Sequence, residues 1–175
     1  MKQAFVIVSL IALAFTAVSC EAAKKDTVAA PGSTAVVEGQ WLTFDQALAK
    51  GASDGKFIVV DFYTDWCKWC KVLDQKTYPD PAVQAAFAKD FVLAKVNPEK
   101  DNGPFQYLGK TYSGADLQQQ FKVDGYPSII FLEKDGTVIG KIPGFVPPEA
   151  FLKILNFIAN GEYKKQSLDN FVNGM

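Results

Sequence analysis

The stretch Phe57 to Lys71, FIVVDFYTDWCKWCK, decides how this chain folds. Phe57-Ile58-Val59-Val60, with Phe62 after Asp61, form an apolar, β-branched run with the length of a buried central strand. Tyr63-Thr64-Asp65 is a short polar turn, then Trp66, Cys67, Lys68, Trp69 and Cys70 lead into residues that suit a helix. Two cysteines three positions apart at a helix start share one turn, within reach of a common disulfide. The helix N-terminus carries partial positive charge and free N–H groups that stabilise a thiolate on Cys67, and Lys68 adds positive charge beside it. Cys67 is therefore the candidate nucleophile, and Cys70, one turn deeper, the residue that resolves a mixed disulfide. A purely structural disulfide is the alternative. A ring this small constrains little of the chain, because the entropic benefit grows with loop length.

Composition narrows the chemistry further. The 175 residues suit one domain plus extras, and a 49% hydrophobic content is ample for a single core. A formal charge of −1 offers no long-range field for nucleic acid. All 18 basic residues are lysine, which removes bidentate arginine recognition of phosphate. The chain has no histidine, so His-dependent catalysis and most zinc or copper sites are excluded, and no metal is expected. No cofactor beyond the dithiol is implied.

Residues 1–19 read as a secretory signal: Lys2, an apolar run from Ala4 to Val18, and small residues before Cys20. The run is shorter than the ~20 residues of a membrane span. Ala17-Val18-Ser19-Cys20 resembles a bacterial lipobox, which makes Cys20 a candidate lipidation site. Ordinary cleavage after Ser19, leaving a free thiol, is the alternative. Residues 20–39 have no apolar period and read as a flexible tether.

The folded domain is expected over residues 40–161. Thr43-Phe44-Asp45-Gln46 has capping-box spacing for a helix ending near Gly51. After the central strand and the cysteine helix, which runs to about Lys76, Asp80-Pro81 caps a helix through Lys89. Phe91 to Val96 is a second buried strand, Pro98 to Ser113 a long loop, and Gly114 to Phe121 a short helix. Ser128 to Leu132 is a third strand, joined through Lys134-Asp135-Gly136 to Thr137–Ile142 as a hairpin. Pro148 opens a helix with Phe151, Ile154, Leu155 and Ile158 at helical spacing, ended by Asn160-Gly161. Residues 162–175 form an extension with one short helix around Leu168 to Val172. The order predicts an α/β fold, a mixed sheet with helices on both faces.

These residues carry a family resemblance. Val60-Asp61-Phe62-Tyr63, Asp65-Trp66-Cys67, Cys70-Lys71, Asp80-Pro81, Lys95-Val96-Asn97, Gly125-Tyr126-Pro127-Ser128 and Gly144-Phe145 resemble the thioredoxin superfamily. Within it, they are most similar to the C-terminal periplasmic domain of the DsbD interchange proteins. The match covers roughly residues 41 to 160. Two features depart from thioredoxin: Lys68-Trp69 stands where thioredoxin has Gly-Pro, and the Pro98–Ser113 loop is longer.

The resemblance implies a thioredoxin fold and a set of roles. Asp61, costly as an ion in an apolar strand, corresponds to the family's aspartate beneath the second cysteine, which relays its proton. Lys95 corresponds to the lysine beside it. The alternatives are a strand aspartate facing a polar end and an ordinary snorkelling lysine. Pro127 corresponds to the family's cis-proline, with Tyr126 pairing its backbone with substrate; a trans turn proline is the alternative. Trp66 matches the family's tryptophan at the site. Trp69 either joins a partner-binding surface or covers the helix. Pro79 and Phe145 are expected in turns or core.

The expected activity is an extracytoplasmic thiol:disulfide oxidoreductase that reduces disulfides of other exported proteins. A membrane electron donor of the DsbD type would re-reduce it, and the chain would be a lipid-anchored monomer. A disulfide-forming oxidant or isomerase, and a non-catalytic thioredoxin-like binding module, are the competing readings.

Overall fold

The computed structural model describes residues 41–175. The expected signal segment, Cys20 and the tether at 20–39 lie outside the described residues. Two layers of helices enclose a five-stranded sheet with the strand Phe57–Phe62 at its centre. In chain order these are β1 (Trp41–Leu42), α1 (Phe44–Asp54), β2 (Phe57–Phe62), α2 (Lys68–Lys76), α3 (Pro81–Asp90) and β3 (Phe91–Val96). They are followed by β4 (Phe105–Tyr107), β5 (Lys110–Tyr112), α4 (Gly114–Gln120), β6 (Ser128–Leu132), β7 (Val138–Pro143), α5 (Pro148–Ala159) and α6 (Leu168–Asn173). β1 and β2 pair with β3 in parallel, while β6 runs antiparallel to β2 and β7 antiparallel to β6.

The period-2 pattern of β2 sorts its side chains between two cores. Ile58, Val60 and Phe62 face Phe44 and Ala47 of α1 and Leu117 of α4. Val59 faces Leu73 of α2, Val83 and Phe87 of α3, and Phe151, Ile154 and Leu155 of α5. By the same alternation, Asp61 points to the face that α2 covers. Both sides of β2 are therefore dry, which is why it reads as a nearly unbroken apolar run.

Local chemistry explains most boundaries. The Thr43 capping box forms, with Gln46 reaching back to the Thr43 N–H. Asp80 accepts from the N–H groups of Ala82 and Val83, ahead of Pro81 in the first turn of α3. One boundary differs from expectation: α1 does not end near Gly51 but runs to Asp54, where Gly55 takes the left-handed cap at φ 68°. Gly51 serves packing instead. A Cβ there would sit 2.6 Å from Ile58 Cγ1, so glycine lets α1 approach β2 closely.

The Pro98–Ser113 segment is not simply a loop, since it contains the β4–β5 hairpin, turned at Leu108-Gly109 with positive φ at both residues. Phe105 and Tyr107 dock it against Phe44 and Phe121, and the Tyr107 hydroxyl donates to the Gly136 carbonyl at 3.0 Å. Three-residue strands with a Leu-Gly tip lack the length and the Asn-Gly signal that expose a hairpin in sequence. At the C-terminal end, α6 packs on the edge strand β7, where buried Leu168 sits against Gly140, and Phe171 stacks on Phe157 with ring centres 4.2 Å apart. No helix among the described residues is long and apolar enough to cross a membrane.

Candidate active site

The last residues of β2 deliver the cysteines to the end of the sheet. The Cys67 N–H donates to the Thr64 carbonyl at 3.2 Å, closing the turn, and Cys67 becomes the N-cap of α2. Cys67 and Cys70 are joined by a disulfide, with Cα atoms 5.4 Å apart. The Cys67 sulfur also accepts from the Cys70 N–H at 3.1 Å, so a free donor of the first helical turn points at it. Both sulfurs lie in a covered position: Cys67 is 4% exposed and Cys70 2%. Cys67 is thus buried like Cys70, and the exposed surface around the disulfide belongs to tryptophan.

Asp61 and Lys95 are register partners on β2 and β3. Asp61 is fully buried, and the Lys95 ammonium stands 3.7 Å from its Oδ2. The same ammonium bonds Asp74 Oδ1 at 2.5 Å, and Asp74 side chain is 40% exposed. Asp74 follows Cys70 by four residues on α2, one helical turn on the same face. Tyr78 completes the cluster; its hydroxyl lies close to the Asp61 carboxylate but outside hydrogen-bond geometry. Both Asp61 oxygens and the Tyr78 hydroxyl are thus buried without a hydrogen-bond partner among the described residues. Burial pushes the Asp61 carboxyl up to about 6, with the Lys95 charge opposing and the Asp74 charge adding. Burial, reinforced by the charges of Asp61 and Asp74, also holds the Tyr78 phenol well above its ordinary value. A carboxyl poised near neutrality on the face covered by the cysteine helix can take up and give back a proton.

Two aromatic pairs flank the disulfide. Trp66, 66% exposed, meets Tyr126 edge-on at 5.8 Å, and its indole N–H donates to the Glu99 carboxylate at 3.0 Å. Trp69, 54% exposed, stacks on Phe145 at 5.5 Å. Phe145, expected in turn or core, is half-buried and forms one side of this surface. The Tyr126–Pro127 peptide is cis, and the Gly144 N–H donates to the Pro127 carbonyl at 2.8 Å, tying the Phe145 loop to the proline. Lys68 is exposed at the first position of α2.

The structure thus gathers Asp61, Lys95 and the cysteine helix on one side of β2, and Trp66, Trp69, Tyr126 and Pro127 around the disulfide. Sequence reading missed Asp74, Tyr78, Glu99 and the part played by Phe145. The four-residue spacing from Cys70 is a signal that could have found Asp74. Nothing local marks Glu99, which reaches Trp66 from the segment after β3.

The model of the thioredoxin-like domain family matches residues 44–159. The thiol:disulfide interchange protein DsbD of Actinobacillus pleuropneumoniae is 33% identical over 107 residues, covering 60% of this chain and 17% of that protein. DsbD of Vibrio vulnificus is 34% identical over 116 residues, covering 65% of this chain and 18% of that protein. The chain therefore spans less than a fifth of the length of these curated relatives. Among solved structures, a thioredoxin from Thermus thermophilus superposes with a TM-score of 0.56 at 26% identity, covering 68% of this chain and 85% of that one. With this match across its folded body and a disulfide-bonded CxxC at the head of α2, the chain belongs to the thioredoxin-like domain family.

Proposed function

We propose that this protein works outside the cytoplasm as a reductant of disulfides in other exported proteins. The observation that carries the redox reading is the buried Asp61, held near neutrality between burial and the Lys95 charge. In the reduced protein, Cys67 attacks a substrate disulfide; one substrate sulfur leaves as a thiolate and takes up a proton, and a mixed disulfide forms. Asp61 accepts the Cys70 proton. The Cys70 thiolate then attacks the Cys67 sulfur, releasing the second substrate thiolate and leaving the Cys67–Cys70 disulfide. Two electrons pass from the dithiol to the substrate.

The surface of Trp66, Trp69, Tyr126 and Phe145 suits an apolar extended segment laid across the disulfide, with the Tyr126 backbone pairing to it beside cis-Pro127. Lys68 adds positive charge at the entrance. Re-reduction outside the cytoplasm requires a membrane electron donor of the DsbD type, and the likeness to DsbD supports that partner. The N-terminal reading completes the proposal: residues 1–19 direct export, Cys20 carries the lipid, and residues 20–39 form the tether for the thioredoxin-like domain, which acts as a monomer.

An oxidant or isomerase role is the second reading, favoured by Cys67 at the N-cap of α2 with Lys68 beside it, since strong oxidants owe their potential to a stabilised thiolate. The equilibrium reduction potential of the Cys67–Cys70 pair separates the two. A value near roughly −270 mV supports the reductant, and one near about −120 mV turns the reading to disulfide formation.

A further inference from the structure

Three aromatic rings surround the Lys95 ammonium. It lies 5.0 Å from the centre of the Trp41 ring, 5.1 Å from Tyr63 and 5.8 Å from Tyr78. The rings come from separate elements: Trp41 from β1, Tyr63 from the turn after β2, and Tyr78 from the segment between α2 and α3. The two carboxylates, Asp61 and Asp74, occupy the remaining sides. Trp41 is itself braced by Tyr78 at 4.9 Å and Phe87 at 6.5 Å. The cage opens on a cleft of about 780 Å³ lined by Trp41, Tyr63, Asp74 and Lys95, which gives its outer wall a route to solvent. A cation facing aromatic rings is attracted to their negative faces, more strongly where it is partly desolvated, and the Lys95 side chain is only 20% exposed.

We propose that Trp41 is a positioning residue of the redox site, whose indole holds the Lys95 ammonium between Asp74 and the buried Asp61. Its consequence for turnover rests on the proton-relay reading of Asp61; its consequence for Asp61 itself does not. The groups facing Asp61 are Lys95 from β3, Asp74 from α2, and Tyr78 beyond it, while its β6 partner, Ile129, is apolar. Lys95 also meets Tyr63, and Lys100 and Asp101 stand on the rim of the cleft. Of the two cations here, Lys100 is taken by Asp65, so Lys95 is the positive charge that opposes the burial of Asp61. Without the indole, its flexible stem follows Asp74, the nearer and more exposed carboxylate, outward and away from Asp61. Asp61 then loses that opposing charge and keeps its proton to higher pH.

The test is a carboxyl-¹³C NMR titration of Asp61 in the disulfide form of the purified protein, its signal assigned by its loss in Asp61→Asn. Trp41→Leu keeps apolar cover and removes the ring, and is expected to raise the midpoint by about half a pH unit. Trp41→Phe restores a ring and recovers most of that shift. An unchanged or lowered midpoint in Trp41→Leu overturns the proposal. Should that variant fail to fold, Trp41→Met keeps more of the apolar cover without a ring, and an unchanged midpoint there overturns the proposal equally. The pH profile of disulfide reduction is read separately. If the midpoint rises and the profile does not follow, the relay role of Asp61 fails while the role of Trp41 stands.

Discussion

Asp61 and Lys95 face each other in register on adjacent parallel strands, with 3.7 Å between carboxylate and ammonium. The pair is unequal: the carboxylate is sealed in, whereas the ammonium reaches a second carboxylate, Asp74, that touches solvent. A buried charge shared in this way is poorly compensated, which suits a group that must change protonation state during turnover rather than one that holds the fold together.

Asp61→Asn removes the proposed proton acceptor and leaves shape and volume nearly unchanged. Reduction of a protein disulfide at pH 7 is expected to slow by about 10²-fold, the lower range for general acid–base catalysis. The wild-type rate should rise through an inflection near pH 6, where Asp61 ionises, and this inflection should vanish in the variant. Stopped-flow rates from pH 5 to 9 decide it. A retained inflection near 6 assigns the proton to another group.

The same residue makes the stability pH-dependent. Its carboxyl is raised from 3.8 to about 6 on folding, so between those values the folded state holds a proton that the unfolded chain has released. Stability therefore falls as pH rises through that window, and the penalty is complete above it. For a shift of this size the loss is up to about 3 kcal/mol. Urea unfolding of the oxidised protein at pH 4 and pH 7.5 should show that loss in wild type and little of it in Asp61→Asn.

Asp74 and Lys95 act on Asp61 with opposite signs, because one brings a like charge and the other an opposite one. Asp74→Asn should move the pH–rate inflection to lower pH, and Lys95→Met should move it higher. Shifts in the same direction would show that burial, not charge, dominates both variants.

In the proposed mechanism the two cysteines have different duties. Cys70→Ser should trap a disulfide between Cys67 and a substrate, visible by mass spectrometry and cleared by reductant. Cys67→Ser should trap none and reduce nothing. Full cellular function in either variant would instead favour a non-catalytic binding module.

Leu168 fastens α6 to β7 far along the chain from the cysteines. Leu168→Ala should cost about 2–5 kcal/mol in denaturant unfolding, as for other buried leucines, and leave the reduction rate near wild type.

Much of this protein is written locally. The strand Phe57–Phe62, the cysteine helix, the Asp80 cap, the strand Phe91–Val96 and the helix from Pro148 each carry a periodicity or a capping signal within a few residues, and each forms as read. The CxxC pair is legible for the same reason, since three residues of helix bring both sulfurs together whatever the rest of the chain does. Where neighbours in space are distant in sequence, local patterns fall silent. Gly51 looks like a helix stop, and only the approach of Ile58 shows it to be a packing glycine. The β4–β5 hairpin is held by Phe44 and Gly136, not by its own short strands. The contact of Glu99 with Trp66, the Trp69–Phe145 stack, and the enclosure of Lys95 by Trp41, Tyr63 and Tyr78 depend on sheet register and helix packing. The sequence by itself determined the fold and the paired cysteines, because those follow from short-range periodicity and spacing. The environment that tunes them was decided only in three dimensions, because burial and charge belong to the assembled neighbourhood of a residue.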